Sequence, residues 1–328
     1  MSLNLCDVKL NPPVLLAPMA GITDLPFRNL VATFGAGLVV SEMVASQEMV
    51  QSKPGAREKA ELGFGVENTA VQLAGRDAEW MARAARIVED NGARIIDINM
   101  GCPAKKVTSG LSGSALLRDL DHALTLIEAV VNEVSVPVTL KTRLGWDDNS
   151  KNAAELARRA ESAGIQMLTI HGRTRCQFYK GSADWGAIRA IKEAATIPVI
   201  ANGDIVDTRS AKTALQLSKC DGVMVGRGAQ GRPWQLALIA SELFGAERPS
   251  IPSGQDLVDM IVGHYQAMMK FYGETLGNRV ARKHLGWYLD ELDAPISLRK
   301  RLLTERDSGE VIRLLQNELL GLSAKAAA

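Results

Sequence analysis

The stretch VIANGDIVDTRSAKTALQLSKCDGVMVGRG, Val199 to Gly228, decides the fold. It opens on a short apolar run, Val199-Ile200-Ala201-Asn202, and turns at Asn202-Gly203-Asp204. An amphipathic segment follows over Thr208 to Leu217, and the stretch ends on a second apolar run, Val223-Met224-Val225-Gly226. Runs this short and rich in β-branched residues, without strict alternation, have the character of strands buried on both faces rather than of helices. A strand, a helix and a second strand joined by short loops make a βαβ unit, whose strands lie parallel.

The same unit recurs toward the N-terminus. Apolar runs at Val14 to Ala17, Leu38 to Ser41, Ala70 to Leu73, Ile95 to Ile98, Val138 to Lys141 and Leu168 to His171 are separated by longer segments. Those segments include helical patterns at Ala78 to Asn91, Leu120 to Val134 and Ala153 to Gly164, and Gly92 and Gly164 stand where helices stop. Eight strand–helix units in about 230 residues have the count and length of a (β/α)8 TIM barrel, an α/β fold. The rival is a doubly wound open sheet, but its Gly-rich nucleotide fingerprint does not follow the first strand. Beyond the Pro/Ser-rich break at Glu247 to Ser253, only helical patterns remain: Gln255 to Tyr272, Leu276 to Leu292, Ile296 to Glu305 and Gly309 to Leu322. The expected organisation is a catalytic barrel over residues 1–244 and a small all-helical domain over 245–328, with Ala324 to Ala328 frayed.

The 328 residues are 46% hydrophobic and 23% charged, the balance of an ordinary soluble globular protein. Four cysteines (Cys6, Cys102, Cys176 and Cys220) stand far apart without a CxxC pair. That argues against a disulfide framework or structural zinc, and for a reducing, cytoplasmic setting. No signal-like segment opens the chain, and no apolar run approaches the roughly 20 residues of a membrane span. A net charge of +1 announces no nucleic-acid partner, so any such partner must be read from local patches. A monomer is the default expectation.

In a barrel, chemistry collects where strands end and βα loops begin. The odd polar residues stand there: Gln72, Asn99, Lys141 with Arg143, His171 with Arg173, Asn202-Gly203-Asp204, and Gly226-Arg227-Gly228. Loops after the last two strands commonly bind phosphate in this fold; Gly203 and Gly226 let backbone N–H groups approach an anion, and Arg227 adds a bidentate contact. Lys141 reads as a lysine snorkelling to the mouth, as a fixed charge beside an anion such as reduced flavin, or as a Schiff-base lysine. Gln72 would serve the same flavin edge as Lys141. Cys102, between Gly101 and Pro103 with Lys105 and Lys106 close behind, lacks metal-ligand spacing and a protease-like dyad. A proton-donating thiol is the better reading than a nucleophile.

Taken together, APMAGITDLPFR (Ala17 to Arg28), SEM (Ser41 to Met43), VQLAG (Val71 to Gly75), DINMGCPAKKV (Asp97 to Val107), LKTRLGW (Leu140 to Trp146), TIHGRTR (Thr169 to Arg175), IANGDI (Ile200 to Ile205), VGRGAQGRPW (Val225 to Trp234) and ARKHLGWYL (Ala281 to Leu289) resemble the tRNA-dihydrouridine synthases, most closely their bacterial B subfamily. The resemblance implies an FMN-containing barrel joined to a helical RNA-binding domain, and NADPH-driven reduction of uridine in the D-loop of tRNA. It implies that Pro18, Met19 and Ala20 pack against the flavin, that Gln72, Lys141 and His171 serve its ring, and that Asn202, Gly203, Asp204, Gly226 and Arg227 hold its phosphate. Asn99, Arg143 and Arg173 would orient the uridine, and Cys102 would be the general acid. Lys105, Lys106, Arg282 and Lys283 are the first candidates for tRNA contacts. Two alternatives remain at this point: a small-molecule flavin reductase of pyrimidines, which would need no helical RNA platform, and a catalytically idle RNA-binding protein, against which Cys102 and Lys141 argue.

Overall fold

The computed structural model describes residues 2–53, 55–62 and 69–326. Eight strands form the barrel: β1 (Val14–Leu16), β2 (Leu38–Val40), β3 (Thr69–Ala74), β4 (Ile95–Met100), β5 (Val138–Arg143), β6 (Met167–His171), β7 (Val199–Asn202) and β8 (Gly222–Val225). Each pairs in parallel with the next; β8 returns to β1 through Val223 opposite Val14, and β2 meets β3 through Val39 opposite Thr69, so the ring is closed. The open-sheet alternative is therefore excluded.

Side-chain alternation along the strands builds two environments from one pattern. Val71, Leu73, Ile96, Ile98, Met100, Val138, Leu140, Leu168, Ile170, Val199 and Ala201 belong to one hydrophobic cluster, shared with the surrounding helices. Leu15, Leu38, Ala70, Ile95, Met167, Ile200 and Met224 belong to another, together with Leu3, Leu5, Val8 and Leu10. Those last four come from a hairpin, Leu3–Leu5 paired with Val8–Leu10, whose apolar side chains meet the strand starts and close the bottom of the barrel. Toward the other end the inward positions turn polar: Gln72, Asp97, Asn99, Thr139, Lys141 and Asn202 are all buried.

Five of the surrounding helices are started by the same device. Asp24, Asp77, Asp119, Asp184 and Asp207 each accept a hydrogen bond from the backbone N–H three residues on, at 2.7–3.0 Å. This satisfies one of the free N–H groups at the helix start and favours the local dipole.

After the Gln235–Phe244 helix come four more, Gly254–Tyr272, Glu274–Glu291, Ile296–Thr304 and Ser308–Ala326. The last runs into the segment expected to fray, while Ala327 and Ala328 lie outside the described residues. These helices share a separate cluster that includes Val258, Tyr265, Leu285, Leu289 and Val311. The Leu25–Thr33 helix inserts Phe27 against this tail, with its ring 5.8 Å from that of His264 and 4.8 Å from that of His284. No helix among the described residues is long and apolar enough to cross a membrane.

The two histidines make this junction acid-sensitive. His264 Nδ1 lies 2.9 Å from the Tyr288 hydroxyl, whereas neither ring nitrogen of His284 has a hydrogen-bond partner among the described residues. Burial pushes His264 down to about 3, and burial with the charges of His264 and Lys283 holds His284 well below its usual 6.5. Below pH 6.5 the unfolded chain takes up these protons and the folded chain does not, so stability falls with acidification. Asp24 at the same junction is pushed up to about 6 by burial, and its contribution runs the other way between pH 3.8 and 6. Replacing His284 with leucine removes one imidazole contribution of at most about 1.4 kcal/mol per pH unit. Urea titrations at pH 7 and 5 should show the wild type losing more than the variant, by at most about 2 kcal/mol; equal losses would mean that His284 is protonated inside the fold.

Candidate active site

The polar ends of the strands enclose a cavity of about 550 Å³, within the usual range for cofactor and small-molecule sites. Of the residues singled out from sequence, Pro18, Met19, Ala20, Gln72, Asn99, Cys102, Lys141, Arg143, His171, Asn202, Gly203, Asp204, Gly226 and Arg227 line it. Arg173, Lys105, Lys106, Arg282 and Lys283 do not.

One wall is a chain of directed hydrogen bonds starting at a carboxylate. Asp97 accepts from Gln72 Nε2 at 2.6 Å and from Thr139 Oγ1 at 2.7 Å. Gln72 Oε1 accepts from Asn99 Nδ2 at 2.7 Å, and Asn99 Oδ1 accepts from the backbone N–H groups of Gly101 (3.1 Å) and Cys102 (2.9 Å). An ionised carboxylate only accepts, so it fixes the orientation of both amides and presents a carbonyl oxygen to the Cys102 loop. The same loop is held from its other side. Cys102 O accepts from Ser114 N and Oγ, and Gly101 O accepts from Arg143 Nε at 2.8 Å. None of these bonds uses the thiol. Desolvation pushes Asp97 up to about 6, against hydrogen bonds from Gln72 and Thr139 that favour its charge.

Lys141 stands beside this chain, paired in register with Asn99, and donates to Asn202 Oδ1 at 3.0 Å. Burial, then the charge of Arg143, lowers it to about 8. Its positive charge thus has little compensation, and an anionic ligand would supply it. The same surroundings keep His171 neutral, first by burial and then by Lys141, Arg143, Arg173 and Arg227.

Opposite lie the turns after β7 and β8. Gly203 has φ +109°, which favours glycine, and a Cβ there would stand 2.8 Å from His171 Cδ2. Trp185 Nε1 holds its carbonyl at 2.8 Å. Asp204 takes a two-pronged hydrogen bond from Arg173 (3.0 and 2.6 Å) and another from Arg227 (3.0 Å). Burial alone would raise Asp204, but the Arg173 and Ala183 hydrogen bonds and both guanidinium charges hold it below its ordinary value. Arg173 is 2% exposed and also binds the carbonyls of Lys180 and Gly181, so it acts on the cavity through Asp204 rather than from its wall. Arg227 keeps much of its side chain in solvent and can turn to an anion.

Three residues escaped the sequence reading. Asp97 lies inside an apolar run, and only the i, i+2 spacing with Asn99 signals that both face inward. Phe178 and Tyr179 are exposed aromatic rings at the mouth, 4.8 Å apart, with the Arg143 guanidinium 5.5 Å from the Tyr179 ring. Their sequence signal is an aromatic pair in a polar loop. Of the charged candidates outside the cavity, Lys105 and Lys106 are exposed on the short Lys105–Thr108 helix behind Cys102. Arg282 donates to Glu305 O at 3.3 Å, and Lys283 to Gly21 O.

The family model described as dihydrouridine synthase matches residues 15–322. A probable tRNA-dihydrouridine synthase of Rhodobacter capsulatus is 60% identical over 97% of this chain and 98% of its own length. The tRNA-dihydrouridine synthase B of Vibrio vulnificus is 48% identical over 90% of this chain and 91% of its own. Among solved structures, a 2-naphthoyl-CoA reductase superposes with a TM-score of 0.59 at 12% identity, covering 74% of this chain and 52% of that one, a likeness of fold alone.

Proposed function

The chain belongs to the dihydrouridine synthase family, and from that premise we propose that it is a tRNA-dihydrouridine synthase using FMN, with NADPH as electron donor, to saturate the uracil double bond of D-loop uridine in tRNA. The observation that carries this reading is one electropositive cavity in which the Cys102 loop, the under-compensated Lys141 and the Gly203/Gly226 turns share the wall.

The residues present fit FMN. Lys141, with Gln72, would serve the pyrimidine edge of the ring, and Pro18, Met19, Ala20 and neutral His171 would flank it. Asn202, Gly203, Gly226 and Arg227 take the phosphate, with Asp204 and Arg173 setting the position of Arg227. When bound, FMN would supply the hydride that reduces the uracil double bond at carbon 6. Cys102 gives a proton to carbon 5, which completes saturation of the double bond. Asn99 and Arg143 both brace the Cys102 loop and face the base. The target uridine must leave its stack to enter, and the Phe178 and Tyr179 rings at the mouth offer it a stacking surface. Lys105 and Lys106 contact phosphates beside the mouth, and the helical tail docks the rest of the D-arm.

The test is nucleotide-resolution mapping of dihydrouridine in tRNA from a strain lacking the gene. Dihydrouridine should vanish from one or more D-loop positions, return with the wild-type gene, and stay absent with Cys102→Ala. Purified protein that stays colourless and binds no added FMN would sink the flavin reading and revive the idle RNA-binding alternative.

A further inference from the structure

The loop that forms the flavin-side wall, Pro18 to Ile22, is held from outside the barrel as well as from within. Gly21 donates its N–H to Glu42 Oε1 at 2.5 Å, and Glu42 is itself buried. Its carbonyl accepts from Lys283 Nζ, which reaches over from the Glu274–Glu291 helix of the tail. Gly21 sits at φ +69°, and a Cβ there would stand 2.9 Å from that ammonium. A carboxylate and an ammonium thus grip the two polar groups of one residue. Its neighbours Pro18, Met19, Ala20 and Ile22 line the cavity. Just downstream, Tyr272 of the tail donates to Asp24 Oδ2 at 3.0 Å, and Phe27 packs on His264 and His284. The tail therefore holds this loop and its helix at three successive points.

We propose that Lys283 is a positioning residue of the cavity, clamping with Glu42 the Gly21 peptide that carries the flavin-side wall, rather than a contact to the RNA backbone. Through this clamp the tail that docks tRNA is mechanically part of the cofactor site, so RNA docking and flavin binding influence each other. The inference rests on the FMN reading above. It goes beyond it in giving the tail a second task and in giving a solvent-exposed basic residue of the ARKHLGWYL segment a partner on the barrel.

The two roles of Lys283 predict opposite results. Full-length Lys283→Met, Lys283→Arg and Glu42→Gln are titrated with FMN by fluorescence quenching, and with tRNA across a salt series. A clamp predicts that Lys283→Met weakens FMN binding about tenfold, the worth of one charge-assisted hydrogen bond, and that Glu42→Gln, which keeps a neutral acceptor for Gly21, weakens it by a smaller, measurable factor. Lys283→Arg restores most of that affinity, and the salt dependence of tRNA binding to the apoprotein keeps its slope. A phosphate contact predicts unchanged FMN affinity and a tRNA salt slope shallower by about 0.7 to 0.9 for Lys283→Met; that result overturns the proposal. Glu42→Gln, made on the barrel side, guards against a Lys283 variant that merely unfolds the tail; FMN affinity unchanged in Glu42→Gln also overturns it. Wild-type protein that binds no FMN would remove the flavin reading and this inference with it. Normal wild-type binding with unaffected variants would remove the inference alone.

Discussion

Cys102→Ala is expected to bind FMN and tRNA as the wild type does and to lose about two to four orders of magnitude in turnover, the usual loss when a positioned general acid is removed. The loop geometry separates chemistry from structure. Asn99 holds the Cys102 N–H, Ser114 its carbonyl, and Arg143 the carbonyl of Gly101, so alanine leaves these anchors of the loop in place. No other cysteine has the surroundings to substitute. Cys220 is buried and pushed up to about 11 by desolvation, and Cys6 and Cys176 are exposed outside the cavity lining. Single-turnover mixing of reduced enzyme with unmodified tRNA reads the step through reoxidation of the flavin. Near-normal reoxidation in the variant would remove Cys102 from the role of acid.

The barrel was legible because each βα unit leaves a local mark: a short apolar run, a turn, then an amphipathic segment. The hairpin that closes its bottom was not, since two three-residue strands flanking the turn at Cys6-Asp7 are too short for a period-two pattern to stand out. The stretches from Val199 and from Ile95 also read as uniformly buried, which is true of accessibility but hides a division. Ile96, Ile98 and Met100 face helices, while Ile95, Asp97 and Asn99 face the interior. Strand-end position therefore marks the cavity residues, whereas Asp97, one step deeper, stands inside an apolar run and carries no such mark. Charge alone leaves the partner of a basic side chain open. Arg173 and Lys283 look alike to a search for phosphate contacts, yet one is spent on Asp204 and the other on a backbone carbonyl. Which way a basic side chain turns depends on partners distant in sequence, and no local pattern reports it.

Asp97 carries the second large prediction, because its effects on stability and on activity should have opposite signs. Its pKa rises from 3.8 to about 6 on folding. Between those values the folded chain binds more protons than the unfolded one, so the contribution of Asp97 to stability falls as pH rises and is least favourable at neutral pH. The shift corresponds to about 3 kcal/mol at most. Asp97→Asn removes that burden while keeping an acceptor for Gln72 and an amide for Thr139. Urea titrations should therefore show the variant as stable as the wild type or more so at pH 7, with the advantage shrinking toward pH 4. Part of the gain is offset because Lys141 loses the opposing charge of Asp97, which helps it keep its proton. Activity should nevertheless fall about a hundredfold, the scale set by small misplacements of reacting groups. An asparagine amide fits in either orientation. In one of them Gln72 and Asn99 invert, and Asn99 would aim N–H groups at the N–H groups of Gly101 and Cys102. The wild-type carboxylate forbids that arrangement. The loss should deepen above neutral pH, where the weakened Lys141 gives up its proton. A variant both destabilised and inactive would make Asp97 a simple packing residue, whereas a stable variant with full turnover would show that the polarity of the chain from Asp97 to Cys102 is not needed.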